Sequence, residues 1–369
     1  PSHNLADVER AESLVSGPAP ERRNALGVFE YADKDVQLHS CGLPLRTTPT
    51  FDHVFEGYNV YWGDLHTHSV HSIGCIQRAR MDMTPAELMD FARHRQGLDF
   101  FAVSDHHQPS YAPKCHLGTA AWEATLADVR SRHVPGEFVV FPGFEFRGKR
   151  GDTVVVCNWE PTYAEIDQPG WQDIRDLWAT WRERDYLTIP HFHSPGGLAP
   201  DEWWENPIFA GEPVLEIFSD HGSYEREDTR ENGRALCKRF RSDRCGVHFL
   251  KQGHKYGFVA NSDDHKGHVG VNGLSAVYAS SLDRDSLLAA YRARRVYGTT
   301  NARIRLLFAA NGALMGSALP ETSRKEFRIE VTGENRLKRI DLFRNGDLHQ
   351  TLLPAGVSFA ETVRVESEG

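Results

Sequence analysis

The sequence predicts a parallel α/β barrel followed by a small antiparallel β module. Three observations predict it. Strand-like and helix-like segments alternate over about residues 61–298, the pattern of a parallel α/β sheet or barrel. Six strand-like segments end in polar clusters: YWGDLHTHS (61–69), FFAVSDHH (100–107), VVFPGFEF (139–146), LTIPHFHS (187–194), VLEIFSDHG (214–222) and FVANSDDH (258–265). Polar residues at the C-terminal ends of many strands describe one site at one end of a barrel. From Arg303 onward, IRLLFAA, EFRIEVTG and RIDLFRNGDLHQTLL read as strands with no helix between them.

Taken in order, residues 1–58 show little periodicity and several prolines, and predict an extended lead-in over the surface. The barrel is expected over 59–300. Its first strand stops at His66 and His68. Alternate side chains along a strand share a face, so both imidazoles can address one point. A loop holding His71 and Cys75 follows. Thr84-Pro85-Ala86-Glu87 is a helix start, with Thr84 at the N-cap, Pro85 at N1 and Glu87 closing a capping box. That helix is expected to reach Gln96 and stop at Gly97.

The strand LDFFAVS (98–104) then delivers Asp105 and His106, and a helix is expected from Thr119 to His133. Next, EFVVFPGFEF delivers Glu145, and DTVVVCNW follows at 152–159. Trp171, Ile174, Leu177, Trp178 and Trp181 recur at helical spacing. YLTIP delivers His191 and His193. PVLEIF carries Glu216 and leads to Asp220 and His221. A charged helix is expected over about Glu227 to Arg241. YGFVANS delivers Asp263, Asp264 and His265, with Lys266 next, and Ser281 is expected to cap a helix to Arg295. Over 301–369 the β module carries Asn345-Gly346, a type I′ hairpin signal. A strand-like segment so close to Gly369 leaves room for further strands beyond it.

Composition narrows the function. The net charge of −9 argues against a nucleic-acid partner, which calls for a basic surface. A small anionic substrate fits, because bound metals supply local positive charge. No apolar run approaches the ~18–20 residues needed to cross a bilayer, so no membrane partner is expected. The six cysteines form no CxxC pair, which reads as a reducing, cytoplasmic setting rather than a disulfide framework. The chain opens on Pro1, which leaves room for an initiator Met or a removed signal before it.

The motifs GDLHTHS, FAVSDHH, PGFEF, IPH with a following Pro-Gly, and NSDDH, in this order, resemble the PHP superfamily, named for polymerase and histidinol phosphatase. The Gly-Asp-Leu-His start, the EIFSDHGS segment and the C-terminal β module resemble its DUF3604 branch. The resemblance covers about residues 60–310. It implies a distorted (β/α)7, TIM-like barrel with two or three divalent metals, manganese, zinc or iron. It implies that His66, His68 and Asp263 bind a first metal, that Glu145 bridges to a second held also by His191, and that His106 and His265 hold a third. Members carry an Asp or His shortly after the H-x-H motif, where this chain has Ser72-Ile73-Gly74-Cys75. Either Cys75 takes that role or the third site is weak. At Asp152 the branch usually has a His, and Asp favours harder metals.

The chemistry expected of such a cluster is hydrolysis, with Glu145, Asp263, His265 and His221 as the residues closest to the reaction. Asp64 and Asp105, each within two residues of a ligand histidine, are candidates to accept from an imidazole. His193, Glu216 and Lys266 are candidates for contact with the substrate or the ligands. A small phosphate ester is the leading substrate class. A carboxylic ester or amide, or a barrel that has kept its ligands without catalysis, are the rivals.

Overall fold

The computed structural model describes residues 55, 57–72, 75, 81–107, 117–148, 151–191, 212–226, 242, 245–321 and 324–366, with the backbone of 22–23 and 29–30. The expected helix over 227–241 and His193 lie outside the described residues, as does most of the lead-in.

The architecture is mixed α/β with several sheets. Asn59–Asp64 lies in a five-stranded sheet, pairing in parallel with Phe100–Ala102 and antiparallel with Leu274–Ala279. Val139–Phe141 and Val296–Thr299 complete that sheet. Gly143–Gly148, Gly151–Cys157 and Tyr186–His191 form a second sheet with His106–His107 at its edge. Val214–Ser219 and Gly257–Ala260 pair in parallel in a third. No ladder among the described residues joins the three into one closed barrel.

Strand direction departs from the all-parallel expectation for a physical reason. Parallel neighbours need a crossover of a dozen or more residues. Only residues 149–150 separate Gly148 from Gly151, so Gly151–Cys157 runs antiparallel to Gly143–Gly148. Likewise the stretch 261–273 contains no helix, and Leu274–Ala279 returns antiparallel to Asn59–Asp64.

The local signals read from the sequence are realised where they are strongest. Pro85–His94 is a helix whose N-cap Thr84 accepts from the Glu87 N–H at 3.3 Å while Glu87 Oε2 accepts from the Thr84 N–H at 2.9 Å. Gly97 follows at φ +57°. Thr119–Arg132 is helical, and the tryptophan-rich helix is the shorter Ile174–Thr180. The helix Arg284–Arg292 is capped by Asp283, not Ser281. Asp283 accepts from the Ser286 N–H at 2.7 Å, and Ser281 Oγ instead donates to Asp283 Oδ2 at 2.5 Å.

Strands Arg305–Ala310, Arg324–Thr332 and Ser358–Glu366 form an antiparallel sheet around Ile329, Val331 and Val363. Ile340–Arg344 and Asp347–Leu352 make a hairpin whose turn residues Asn345 and Gly346 have φ +55° and +86°, as a type I′ turn requires. No helix among the described residues is long and apolar enough to cross a membrane.

Candidate metal centre

Asn59–Asp64 stops before the first histidine, and a second segment fixes the histidines. The Asp263 N–H donates to the His66 carbonyl at 2.7 Å and the His68 N–H to the Asp264 carbonyl at 3.0 Å. Thr67 bridges Asp264 in parallel between them. This short ladder sets the carboxylate of Asp263 beside both imidazoles. Asp263 adopts φ +46°, a left-handed conformation that Asp tolerates better than most residues and that clusters at functional sites. Gly273 lets the 261–264 backbone pack closely, since a Cβ there would stand 2.1 Å from the Asn261 carbonyl oxygen.

The second sheet supplies the opposite wall. His106 pairs directly with Glu145, and Asp152 pairs directly with His191. Glu145 faces Val154, so Asp152, two residues away, shares its side of the sheet. His106 Nε2 lies 3.0 Å from Glu145 Oε2, and His191 Nε2 lies 2.9 Å from Glu145 Oε1.

Four ligand atoms converge between the walls. His66 Nε2 is 3.7 Å from Glu145 Oε2 and 3.4 Å from Asp263 Oδ1. His68 Nε2 is 3.4 Å from Glu145 Oε2 and 3.3 Å from Asp263 Oδ1. All four side chains are at most 2% exposed. Two ligands at about 2.1 Å from one tetrahedral metal stand about 3.4 Å apart, so these spacings fit a cation at the centre. Neither Nε2 makes a hydrogen bond among the described residues. Around this group, Glu145, Asp152 and His191 offer a second set of ligand atoms, and His68, His106 and His265 a third.

The tautomers agree with this reading. His66 Nδ1 lies 3.1 Å from Glu216 Oε2, and Asn261 Nδ2 donates to the same oxygen at 2.8 Å. An ionised carboxylate only accepts, so Nδ1 carries the proton and Nε2 presents its lone pair to the cluster. At His68 the partner is Ser72 Oγ, 3.0 Å from Nδ1. Ser72 donates its hydroxyl hydrogen to Asp105 Oδ1 at 2.8 Å, so it accepts from His68 and leaves that Nε2 bare too.

Electrostatics follow from crowding these groups out of water. Burial opposes a charged His66, but without a cation Asp263 and Glu216 hold its pKa well above the ordinary histidine value, so a metal binding at Nε2 would displace a proton there while Nδ1 keeps its own. Burial, with His265 and His106 nearby, holds His68 well below that value. Burial opposes ionisation of Glu145 and Asp263, yet the surrounding histidines hold both well below the usual carboxylate range.

The remaining sequence candidates fall as follows. Asp64 meets no imidazole among the described residues. It accepts from the backbone N–H groups of His66, Ser262 and Gly270 at 3.0–3.1 Å, so it braces the loop, and burial pushes its pKa up to about 6. Asp105 acts on His68 only through Ser72. Glu216 meets an imidazole, the part expected of Asp64. His221 Nε2 contacts Asp263 Oδ2 at 3.1 Å and is 27% exposed, at the rim. Lys266 Nζ is engaged by Asp220 Oδ2 at 2.9 Å. His265 stacks on His68 with ring centroids 3.9 Å apart.

Cys75 is not brought to the cluster. It is buried in an apolar core with Met81, Met83 and Met89 and belongs to none of the groups of ligand atoms, while burial and the carboxylates of Asp105, Asp264 and Asp263 push its thiol up. Sequence reasoning missed Ser72, a small hydroxyl in a loop, and Asn261, which orders Glu216. It also missed Arg147, whose Nη2 is 3.0 Å from Asp152 Oδ2.

No family model matches the chain. An uncharacterized protein from Chlamydia pneumoniae is 26% identical over 318 residues, covering 80% of this chain and 49% of the relative. One from Chlamydia trachomatis is 29% identical over 325 residues, covering 82% and 50%. The chain thus spans about half the length of these curated relatives. Among solved structures, a two-domain protein from Bacteroides vulgatus, described as containing a predicted PHP-like metal-dependent phosphoesterase, aligns with TM-score 0.47 and 12% identity. That alignment covers 88% of this chain and 91% of the other. PsfC from Pseudomonas syringae aligns with TM-score 0.41 and 13% identity, over 65% of this chain and 91% of that one.

Proposed function

We propose that the chain is a metal-dependent hydrolase of the PHP superfamily, in a DUF3604-like branch with a distorted barrel, and that it cleaves a small phosphate ester. The observation that carries the reading is the convergence of His66 Nε2, His68 Nε2, Glu145 Oε2 and Asp263 Oδ1 at 3.3–3.7 Å, with both histidines turned by Glu216 and Ser72 to present lone pairs. Glu145 faces two ligand sets with its two oxygens, which suits a carboxylate shared between two cations. Divalent ions held there would supply Lewis acidity and lower the pKa of a coordinated water toward ~7.

The chain's own residues do the rest. Glu216 and the Asp105–Ser72 pair keep His66 and His68 in the tautomer a ligand needs. Asp152 and His191 complete the set on the far side of Glu145, and His106 and His265 close it toward His68. His221, partly exposed, sets its Nε2 3.1 Å from Asp263 Oδ2 at the edge of the cluster. Burial keeps bulk water from screening these charges.

The test is elemental analysis of the purified chain, followed by chromogenic phosphate, carboxylic ester and amide substrates with manganese, zinc or iron. At least two metals per chain and turnover of the phosphate ester are expected. Turnover of only the carboxylic ester or amide would move the reading to that bond, and metal binding with no turnover would leave a non-catalytic domain.

A further inference from the structure

The sheet that carries Glu145 also carries a cation on the same side. Side chains alternate along a strand, so Arg147, two residues after Glu145, faces as Glu145 does. The register sets Arg147 directly opposite Asp152, and Asp152 directly opposite His191. Arg147 Nη2 stands 3.0 Å from Asp152 Oδ2. Asp152 in turn offers a ligand atom within 4.8 Å of those of Glu145 and His191. One carboxylate therefore separates a guanidinium from the cluster.

Exposure gives the arrangement a direction. The Arg147 side chain is 21% exposed, whereas Asp152 is 3% and Glu145 1%. The guanidinium thus reaches solvent while the acids beside it are buried. Lys266, the cation expected to meet an anion, instead has its Nζ on Asp220. A guanidinium has five N–H donors in a fixed fork that matches the oxygens of a phosphoryl group.

We infer that Arg147 determines substrate specificity, its guanidinium binding a non-bridging oxygen of a phosphoryl group seated at the cluster, with Asp152 fixing its orientation. The inference rests on the phosphoesterase reading above and adds the residue that selects a phosphoryl group over a neutral ester. Arg147 is distinct from the cluster itself, because a guanidinium cannot ligate a metal.

The experiment measures binding of inorganic phosphate to the manganese-loaded chain by calorimetric titration, for wild type, Arg147→Met and Arg147→Lys. Metal content is measured on the same samples. Removing one charge-assisted contact to an anion costs about 1.5–3 kcal/mol, or on the order of 10–100-fold in affinity. Arg147→Met is expected to weaken phosphate binding by that factor with metal content unchanged, and to raise KM for a phosphate ester. Arg147→Lys, which keeps the charge but not the fork, should fall between. If Arg147→Met does not fold or load metal, Arg147→Lys decides, and weakening of about threefold or more is required of it. Phosphate affinity equal to wild type in a metal-loaded variant overturns the role of Arg147 and leaves the hydrolase reading standing. A wild-type chain that loads no metal overturns both.

Discussion

The Nδ1 edge of His66 rests on the carboxylate of Glu216, 3.1 Å from Oε2 and 3.3 Å from Oε1, with both side chains buried. Asn261 holds that carboxylate by a second hydrogen bond, so the orientation of His66 is set from behind. Partners of this type typically change metal affinity 10–100-fold when removed. Glu216→Gln should keep the fold and weaken metal binding by about that factor in a chelator competition. Unchanged affinity would mean that the contact is incidental.

Glu145 meets His106, His191, His66 and His68 at once, and Asp263 meets three of the same ring set. Glu145→Gln and Asp263→Asn are nearly isosteric and should melt close to wild type. Each should lose activity by about 10²-fold or more. A variant that keeps more than a tenth of wild-type turnover would place the reaction elsewhere.

Several buried acids and histidines share one small volume, so the folded chain is expected to depend on a cation there. Adding a chelator should lower the melting temperature by several degrees, and excess metal should restore it. A melting curve indifferent to both would argue that the cluster is satisfied without metal.

Cys75 sits among methionines rather than ligands. Cys75→Ala should therefore leave metal content unchanged while costing on the order of 1 kcal/mol in stability. Loss of one equivalent of metal in the variant would restore Cys75 as a ligand.

His133 offers a pH signature away from the cluster. The Val140 N–H donates to its Nδ1 at 3.2 Å, and burial with the Arg284 guanidinium nearby holds its pKa down at about 4. The unfolded chain binds that proton near pH 6.5. The folded state is thus favoured in full above about pH 6.5, and the advantage is lost as pH falls toward 4. His133→Gln should show a shallower fall in melting temperature across that window. Parallel curves for the two proteins would remove His133 as a source of acid sensitivity.

The sequence made legible whatever was local or strongly patterned. The Thr84–Glu87 capping box and the Asn345-Gly346 turn are settled by residues three apart or adjacent. His66, His68, Glu145, His191 and Asp263 stood out because polar residues ended apolar strands, and the fold brings them together. Which imidazole a carboxylate would meet was not legible, because Glu216 reaches His66 across 150 residues. Asp64, though nearer in sequence, turns to backbone N–H groups. Ser72 carried no pattern at all. Cys75 was one candidate ligand from its place after the H-x-H motif, but it packs in the apolar core with Met81, Met83 and Met89. The mixed strand directions depend on two connections without helices, of which only the short one at 149–150 is readable from length.

The contact between His66 and Ser262 closes a span of 196 residues. Loop closure carries an entropic cost that grows as about (3/2)RT ln n, so this seam is among the slower contacts to form by chance. A nascent chain that has completed Asn59–Asp64 must wait for Gly257–Ala260 and the return strand Leu274–Ala279 before His66 and His68 meet Asp263. Until then the inner edge of Asn59–Asp64 lacks its antiparallel neighbour and offers unpaired N–H and C=O groups to any other strand. The order of synthesis thus places the chain's greatest exposure to misassembly between the emergence of its first site residue and the arrival of Leu274–Ala279.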